Sequence, residues 1–459
     1  MTENKMLFSR RDLLNIVLPL IIQQVLAVTI GMVDSVMVSY AGEAAVAGVS
    51  LVNTLDVLLV VSFTSLVTGG SVVVSQFLGK KDLAAARSAS KQLLYVSTGI
   101  ALIITTAVLL FRGPLLTVLF GDAKEDVMES AQGYFFFVAI SFPFLAIEGG
   151  VAAIFRVMGN SVVSMYVSVG MNLINVAGNA LLIIGFGMGA IGAAIATLVA
   201  RTLGSAVLLI LIRNRKNVIY IDDILSYRPD IGVIRKILQI GIPNGIENSM
   251  FQFGKLLTQS LISSMPTYAI AANAVANTLA NFQYMPGTAF SNTMITVVGR
   301  CIGAGEKEQA KKYTRVLTFS TYVCLWAIVI GTFILSSAVI GMYDLSTEAG
   351  ELANELIIYH AICAAAIWPV AFTLPASFRA ASDVRFPLVV SMFSMWAFRV
   401  ALSYVFSLES VTVFGHTFAG LGMGAMGVWV AMTVDWLFRA ILFVYRHFSG
   451  RWLKVYKAK

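Results

Sequence analysis

Charged side chains are scarce in this sequence of 459 residues. Lysine, arginine, aspartate and glutamate together make up 12 % of the chain, which is about half the share in a typical soluble protein. Hydrophobic residues make up 58 % of the chain, and the mean hydropathy is +0.83. A soluble fold has too little interior to bury so much apolar surface. The composition therefore indicates a protein that crosses a membrane several times.

Cysteine and histidine are rare as well, with three residues of each. Cys301, Cys324 and Cys363 lie far apart, which excludes a disulfide-stabilised fold and gives no metal-ligand spacing. We therefore expect no cofactor and no transition-metal site. An intramembrane enzyme needs a nucleophile with a base, or a metal set such as His-x-x-x-His. No such spacing occurs in the sequence, so we do not expect an enzyme.

Twelve stretches are long and apolar enough to cross a bilayer as helices, which takes about 20 mostly apolar residues. They run over residues 13–38, 46–76, 92–111, 130–154, 162–185, 190–212, 237–263, 268–298, 316–341, 352–375, 386–408 and 424–445. The predicted fold class is an all-α polytopic membrane protein with twelve transmembrane helices.

Basic residues are distributed unevenly between these stretches. With the N-terminus placed in the cytoplasm, the inner segments hold 26 of the 32 lysines and arginines, and the outer segments hold only Arg112 and Lys124. Positive loops face the cytoplasm, so we predict a multi-pass protein of the cell (inner) membrane with both termini inside. This placement also explains the net charge of +8 without a nucleic-acid partner.

The two halves of the chain repeat each other. An offset of 224 residues places Pro19 on Pro243 and Gly79 on Gly303. Six stretches fall in each half, so both halves have the same orientation, and parallel repeats are a transporter architecture. The predicted parts are an N-terminal six-helix lobe at 1–213, a cytoplasmic linker at 214–236, and a C-terminal six-helix lobe with a cytoplasmic tail at 237–459. The offset grows to 235 at the G-M-G-A motif, so extra residues precede the last span.

Four polar residues of the first half fall at similar depth. Asp34 lies about four residues from the outer end of the first span, roughly 6 Å below it at 1.5 Å per residue. Asn179 and Thr197 lie about six and seven residues below the outer ends of the fifth and sixth spans, and Asn175 is one turn below Asn179. We therefore expect one carboxylate, two amides and one hydroxyl to meet. Such oxygen atoms suit a hard cation, and a shielded carboxyl can take up a proton.

Several short motifs occur in a fixed order along the chain. The segment G-M-V-D-S-V-M-V-S surrounds Asp34, the fifth span reads N-L-I-N-V-A-G-N-A-L-L-I-I-G-F-G, and Phe-Arg pairs start at Phe155 and Phe378. Together with the repeat of six spans in each half and the glycine-containing basic loops, these motifs resemble the multidrug and toxic compound extrusion (MATE) family. The resemblance implies two six-helix lobes and antiport of bulky, mainly cationic or amphiphilic organic compounds against H⁺ or Na⁺. We expect small organic substrates and the lipid bilayer as its partners, no nucleic acid, and a monomer.

The resemblance also assigns roles to single residues. In the family, the positions that match Asp34, Asn175, Asn179 and Thr197 form the proton or cation site of the N-terminal lobe. They are thus the candidate ion-coupling residues and the one place where Na⁺ could bind. Many members have aspartate where this chain has Asn179, and this departure removes one negative charge.

Other ionisable side chains inside the spans are costly and therefore candidates for function. Glu247 follows Pro243 by four residues and pairs in the repeat with Gln23. Glu247, Gln23 and Asp56 are candidates for lining a substrate cavity. For Glu247, a salt bridge to a neighbour such as Lys255 is an equally good interpretation.

The alternative function is a flippase for lipid-linked saccharides from the same superfamily. Such a protein needs basic side chains that neutralise phosphates. Four basic residues lie in the spans against five acidic ones, which gives no net positive lining. Asp435 and Arg439 are spaced for an ion pair on one helix face, and together with Arg399 we interpret them as structural.

Overall fold

The computed structural model describes residues 6–456 except 122, 224–225, 227, 342, 344 and 414–415. Within this part of the chain it contains twelve long helices and one β-hairpin. The helices are α1 (Arg10–Ser39), α2 (Glu43–Gly79), α3 (Leu83–Phe120), α4 (Glu125–Met158), α5 (Ser161–Gly185), α6 (Gly189–Ile212), α7 (Ile231–Ser263), α8 (Thr267–Gly303), α9 (Lys307–Gly341), α10 (Thr347–Ala380), α11 (Arg385–Ser407) and α12 (Gly424–Phe448).

Each of the twelve predicted stretches falls on one of these helices, which confirms the all-α polytopic fold. Among the described residues, ten helices are long and apolar enough to cross a membrane by length and composition. The remaining two, α7 and α8, complete the two sets of six. They carry more polar residues, and α8 alone contains four asparagines.

The short connection before the last helix of each half has the same backbone in both halves. Gly187 and Gly189 have φ of +65° and +58°, and their counterparts Gly422 and Gly424 have φ of +61° and +57°. Only glycine adopts this left-handed conformation at low cost. The conformation explains why the G-M-G motif occurs twice.

The second half carries its extra residues as a β-hairpin. Strands β1 (Ser410–Val413) and β2 (His416–Ala419) pair antiparallel, with Ser410 opposite Ala419. The hairpin lies between α11 and α12, so it accounts for the larger offset that the sequence shows at this point.

Three of the helices contain a π-helical turn. The turns are at Ala180–Gly185 in α5, Pro369–Thr373 in α10 and Met395–Val400 in α11. A π turn inserts one residue into the helical ladder, rotates the side chains that follow, and is frequent at functional sites. One of these turns directly follows Asn179, and another contains Arg399.

The chain divides into two compact units, Met1–Gly245 and Ile246–Lys459. The division falls inside α7 because the first half of this helix packs closely on α2. A Cβ atom at Gly69 would lie 2.5 Å from the Ile237 carbonyl oxygen, and one at Gly241 would lie 3.2 Å from the Leu66 Cα. The lobe and linker boundaries predicted from the sequence stay a prediction.

Each unit has its own hydrophobic core. In the first unit, α2, α3 and α4 bury an aromatic and aliphatic cluster that includes Phe63, Phe135 and Phe142. In the second unit, α8, α10 and α12 bury a cluster that includes Trp429 and Trp436.

Candidate functional site

Asp34 lies at the centre of a hydrogen-bonded group in the first unit. Its Oδ1 accepts a hydrogen bond of 2.8 Å from Asn179 Nδ2. Asn175 lies beside both groups, and its amide also contacts Thr197 Oγ1 at 3.2 Å. The four residues that the sequence analysis singled out therefore meet in space, on α1, α5 and α6.

The side-chain amide of Asn175 contacts Asp34 with one of its two polar atoms and Thr197 with the other. It can therefore form hydrogen bonds with both the ionised and the protonated carboxyl of Asp34. With its nitrogen toward Asp34, it donates to Oδ1 and Oδ2 at 2.9 and 3.0 Å and accepts from the Thr197 hydroxyl at 3.2 Å. This orientation suits an ionised Asp34. With its oxygen toward Asp34, Nδ2 donates to Thr197 Oγ1, and the oxygen can accept a hydrogen bond from a protonated carboxyl.

Close packing of α5 on α6 fixes these distances. A Cβ atom at Gly178 would lie 2.9 Å from the Ala196 Cβ, so only glycine allows this approach. Gly178 directly precedes Asn179, and Ala196 directly precedes Thr197. A small cluster of buried apolar side chains joins the same three helices through Val38, Ile183 and Ala193. The site is thus held by rigid helices rather than by loops.

Burial differs within the group. Asn175 and Asn179 are 7 % and 1 % exposed, whereas Asp34 and Thr197 are half-buried. Asn179 Oδ1 is buried and has no hydrogen-bond partner among the described residues. A free acceptor oxygen beside a carboxylate can bind a cation or a water molecule. In the described part of the chain, no group of three or more His, Cys, Asp or Glu side chains is arranged so that it could hold a metal ion.

Asp56 belongs to a second group in the same unit. It lies within electrostatic range of Arg201, whose Nη1 donates to Ser141 Oγ at 2.7 Å. Asp56 Oδ1 is buried and has no hydrogen-bond partner in the described part of the chain. Tyr134 lies within electrostatic range of Asp34, Asp56 and Arg201. Gln23 is half-buried on α1, and its role in a cavity stays a prediction.

Glu247 forms a salt bridge, but not to the residue named from the sequence. Its Oε1 lies 2.9 Å from Arg379 Nη2 and accepts a hydrogen bond of 2.8 Å from Ser391. The expected partner was Lys255, and this expectation is wrong because α10 brings Arg379 against α7. Arg379 follows the π turn of α10, which sequence patterns do not reveal. A cavity role for Glu247 stays a prediction.

The ion pair between Asp435 and Arg439 is present, as their spacing predicted. Arg439 Nε lies 2.7 Å from Asp435 Oδ1, and Ser394 donates to the same oxygen. Arg399 Nη1 is 3.8 Å from Asp435 Oδ2. One fully buried carboxylate thus faces two guanidinium groups.

The second unit contains two further polar groups, whose partners could not be predicted from the sequence. His360 Nδ1 lies 2.7 Å from Gln283 Oε1, and its other ring nitrogen contacts the Tyr284 hydroxyl. Trp429 Nε1 donates to Asn273 Oδ1 at 3.0 Å. The available signal was the concentration of amides in α8, but their partners are 77 and 156 residues away along the chain.

Comparison with known proteins places this architecture in a family. A sequence model of the MatE family matches residues 19–181 and 243–405. The two matched ranges are offset by 224 residues (243 − 19 and 405 − 181), which is the offset of the sequence repeat. The internal repeat predicted from the sequence is thus confirmed.

Curated relatives and a solved structure agree with this match. The chain is 27 % identical to the uncharacterized transporter YisQ of Bacillus subtilis (strain 168), over 96 % of this chain and 95 % of the relative. It is 24 % identical to the probable multidrug resistance protein NorM of Thermotoga maritima, over 97 % and 93 %. An outward-facing multidrug resistance MATE transporter of the MOP superfamily has the same fold, with a TM-score of 0.87, 18 % identity and 96 % coverage of both chains.

Proposed function

The chain belongs to the MATE family of membrane transporters, and we propose that it exports bulky cationic or amphiphilic organic compounds in exchange for protons, with Asp34 as the coupling carboxylate. Curated relatives that are named as probable multidrug resistance proteins support the substrate class. The observation that carries the coupling role is the contact of Asp34 with two buried amides. A flippase for lipid-linked saccharides is not favoured by these relatives.

Proton uptake at Asp34 reverses the direction of its hydrogen bond with Asn175. In the ionised state, the carboxylate accepts from Asn179 and from Asn175, and Thr197 donates to Asn175. In the protonated state, Asp34 donates to the Asn175 oxygen, Asn175 donates to Thr197, and Thr197 donates to the Ala193 carbonyl at 3.0 Å. Both patterns use the same side chains at the same distances. Proton binding therefore changes the bonds between α1, α5 and α6, and a change in these bonds can shift the balance between two arrangements of the helices.

The charge of the group favours H⁺ over Na⁺. Asp34 is its one carboxylate, because Asn179 is neutral. A proton neutralises a lone carboxylate directly, whereas Na⁺ must first lose its water and regain several oxygen ligands. The buried Asn179 Oδ1 without a partner is the observation that keeps Na⁺ as a second candidate.

The test is transport by purified protein in liposomes, with the H⁺ and Na⁺ gradients imposed separately. The ethyl ester of rhodamine B, a lipophilic cation, is the substrate probe. We expect export driven by the H⁺ gradient. Asp34→Asn should bind the dye but lose gradient-driven export, whereas Asp126→Asn, at an exposed position on α4, should export normally.

Two outcomes would contradict the proposal. If Asp34→Asn exports the dye at the wild-type rate with matched protein content, Asp34 is not the coupling residue, and Glu247 is the next candidate. If only a Na⁺ gradient drives export by the wild-type protein, the coupling ion is Na⁺.

A further inference from the structure

In the second unit, the buried carboxylate of Asp435 does not fully compensate the positive charges that surround it. Its Oδ1 is already bonded to Arg439 Nε at 2.7 Å and to the Ser394 hydroxyl. Arg399 is 8 % exposed, yet its nearest carboxylate oxygen is 3.8 Å away, which is longer than a hydrogen bond. Arg399 Nε has no hydrogen-bond partner among the described residues. The two guanidinium groups therefore carry one more positive charge than the single carboxylate can neutralise.

A second cation lies beside Arg399. Lys255 is within electrostatic range of Arg399 and forms no ion pair in the described part of the chain. Lys255 and Arg399 each lie eight residues before the end of their helices, α7 and α11, so both are at a depth of roughly 12 Å at 1.5 Å per residue. Arg399 and Arg439 share Asp435, whereas Lys255 is exposed. The three cations and the one carboxylate together leave a net charge of +2.

Aromatic rings border these cations. The Arg399 guanidinium lies 5.2 Å from the centre of the Phe251 ring, and Arg439 lies 5.5 Å from the rings of Phe251 and Phe372. Phe251 is one helical turn before Lys255, on the same face of α7. The cluster thus joins uncompensated positive charge to an apolar surface. Arg399 also belongs to the π turn of α11, a feature that recurs at functional sites.

We infer that Arg399 and Lys255 form a binding site for a carboxylate group carried by an amphiphilic organic molecule. Arg399 shares its counter-ion Asp435 with Arg439. A buried charge that is incompletely compensated is costly, and a bound anion removes this cost. Arg399 offers the guanidinium fork that suits a carboxylate, and Lys255 adds a point charge. The ring of Phe251 contacts the organic body. This inference rests on the proposed export function and extends its substrates from cations to zwitterions.

The test compares two dyes that differ in one group. Rhodamine B carries a free benzoate and is a zwitterion, whereas its ethyl ester is a cation. Their binding to purified protein is measured at equilibrium by fluorescence polarisation, without any gradient. We expect Arg399→Gln to weaken rhodamine B binding about tenfold and Lys255→Gln about threefold, and both variants to bind the ester within twofold of wild type. Arg399→Lys keeps the charge and should recover part of the loss.

If Arg399→Gln does not fold, Lys255→Gln still tests the proposal. The Lys255→Gln variant retains Arg399 and Arg439, the two arginines that face Asp435. Arg112→Gln removes the same charge from the first unit and should leave both dyes unaffected. If both folded variants bind rhodamine B like wild type, or lose both dyes equally, the site does not bind carboxylate. This result is independent of the proposed export function, whose failure appears as a lack of gradient-driven export of the ester.

Displacement of the bound dye by simple anions tests whether the site selects a carboxylate. Sodium benzoate should displace rhodamine B but not the ester, which supports a carboxylate site. Equal displacement of rhodamine B by sodium chloride at matched ionic strength would overturn the carboxylate assignment in favour of a simple halide site.

Discussion

Asn179→Asp should make export by this protein sensitive to Na⁺. The Asn179 amide nitrogen lies 2.8 Å from Asp34 Oδ1, so the new carboxylate would lie directly against the existing one. Asn179 is 1 % exposed, and water cannot screen the pair well. A cation must then bind between the two carboxylates, or one of them must take up a proton.

The expected gain in affinity for Na⁺ follows from the distance between the two carboxylates. Two unit charges 4 Å apart repel by about 4 kcal/mol at an effective dielectric constant of about 20. A bound Na⁺ would remove this repulsion, but it must also shed water and order its ligands. If half of the repulsion appears as binding energy, the affinity for Na⁺ rises about thirtyfold. The added oxygen replaces the amide nitrogen that lies 2.8 Å from Asp34 Oδ1, and Oδ1 of residue 179, which lacks a partner, is a further ligand for Na⁺.

The assay is export of the rhodamine B ester from liposomes at increasing Na⁺ concentration, with the pH equal on both sides. Asn160→Asp is the matched control, because Asn160 is exposed at the other end of α5. We expect Na⁺-stimulated export by Asn179→Asp and none by the control. A well-folded Asn179→Asp variant without any Na⁺ response would refute the reasoning, as would a wild-type protein with an equally strong response.

Three further predictions concern the fold and its orientation. Glu247→Gln and Arg379→Gln should each lower the free energy of unfolding by about 3 kcal/mol, because each leaves a buried charged or polar partner unpaired. Gly69→Val should lower it by about 2 kcal/mol, because its Cβ would lie 2.5 Å from a carbonyl oxygen of α7. Lys307→Cys should react with a membrane-impermeant thiol reagent only from the cytoplasmic side, since loops rich in basic residues generally face the cytoplasm.

Each of these predictions has its own control. The double variant at Glu247 and Arg379 should lose less than the sum of the single losses, and strict additivity would show that the pair is not coupled. Gly31 has no atom within 4 Å of an added Cβ, so Gly31→Val should cost little, and an equal loss at both glycines would reject the packing argument. Labelling of Lys307→Cys from outside would reverse the proposed orientation.

The helices could be predicted from the sequence, but their lengths could not. Each apolar stretch marks the part of a helix that lies in the bilayer. The helices continue beyond it, as α3 shows by running over Leu83–Phe120 where the apolar stretch covers 92–111. The added turns at the start of α3 contain lysine, arginine and serine, and they remain helical because neighbouring turns continue the hydrogen-bonded ladder. The hydropathy pattern does not reveal such turns.

The group around Asp34 could be predicted because the number of residues between a side chain and the end of its helix gives its depth in the membrane. Helices that cross the same membrane bring residues of equal depth to the same level, and Asn175 and Asn179 share one face by their spacing. The lateral partner of Glu247 could not be found in this way. Arg379 is 132 residues away, and it lies beyond the π turn of α10, so simple counting along an α-helix misplaces it.

The repeat explains why the two units differ in their proposed roles. At the offset of 224 residues, Asp34 corresponds to Thr258 and Gly31 to Lys255. Thr258 is buried and donates to the Lys255 carbonyl at 2.9 Å, so the second unit has no carboxyl at this position that could take up a proton. It has instead an added cation one turn away. A duplicated backbone thus presents a titratable acid in one half and fixed positive charge in the other, which suits proton coupling in the first unit and recognition of an acidic group in the second.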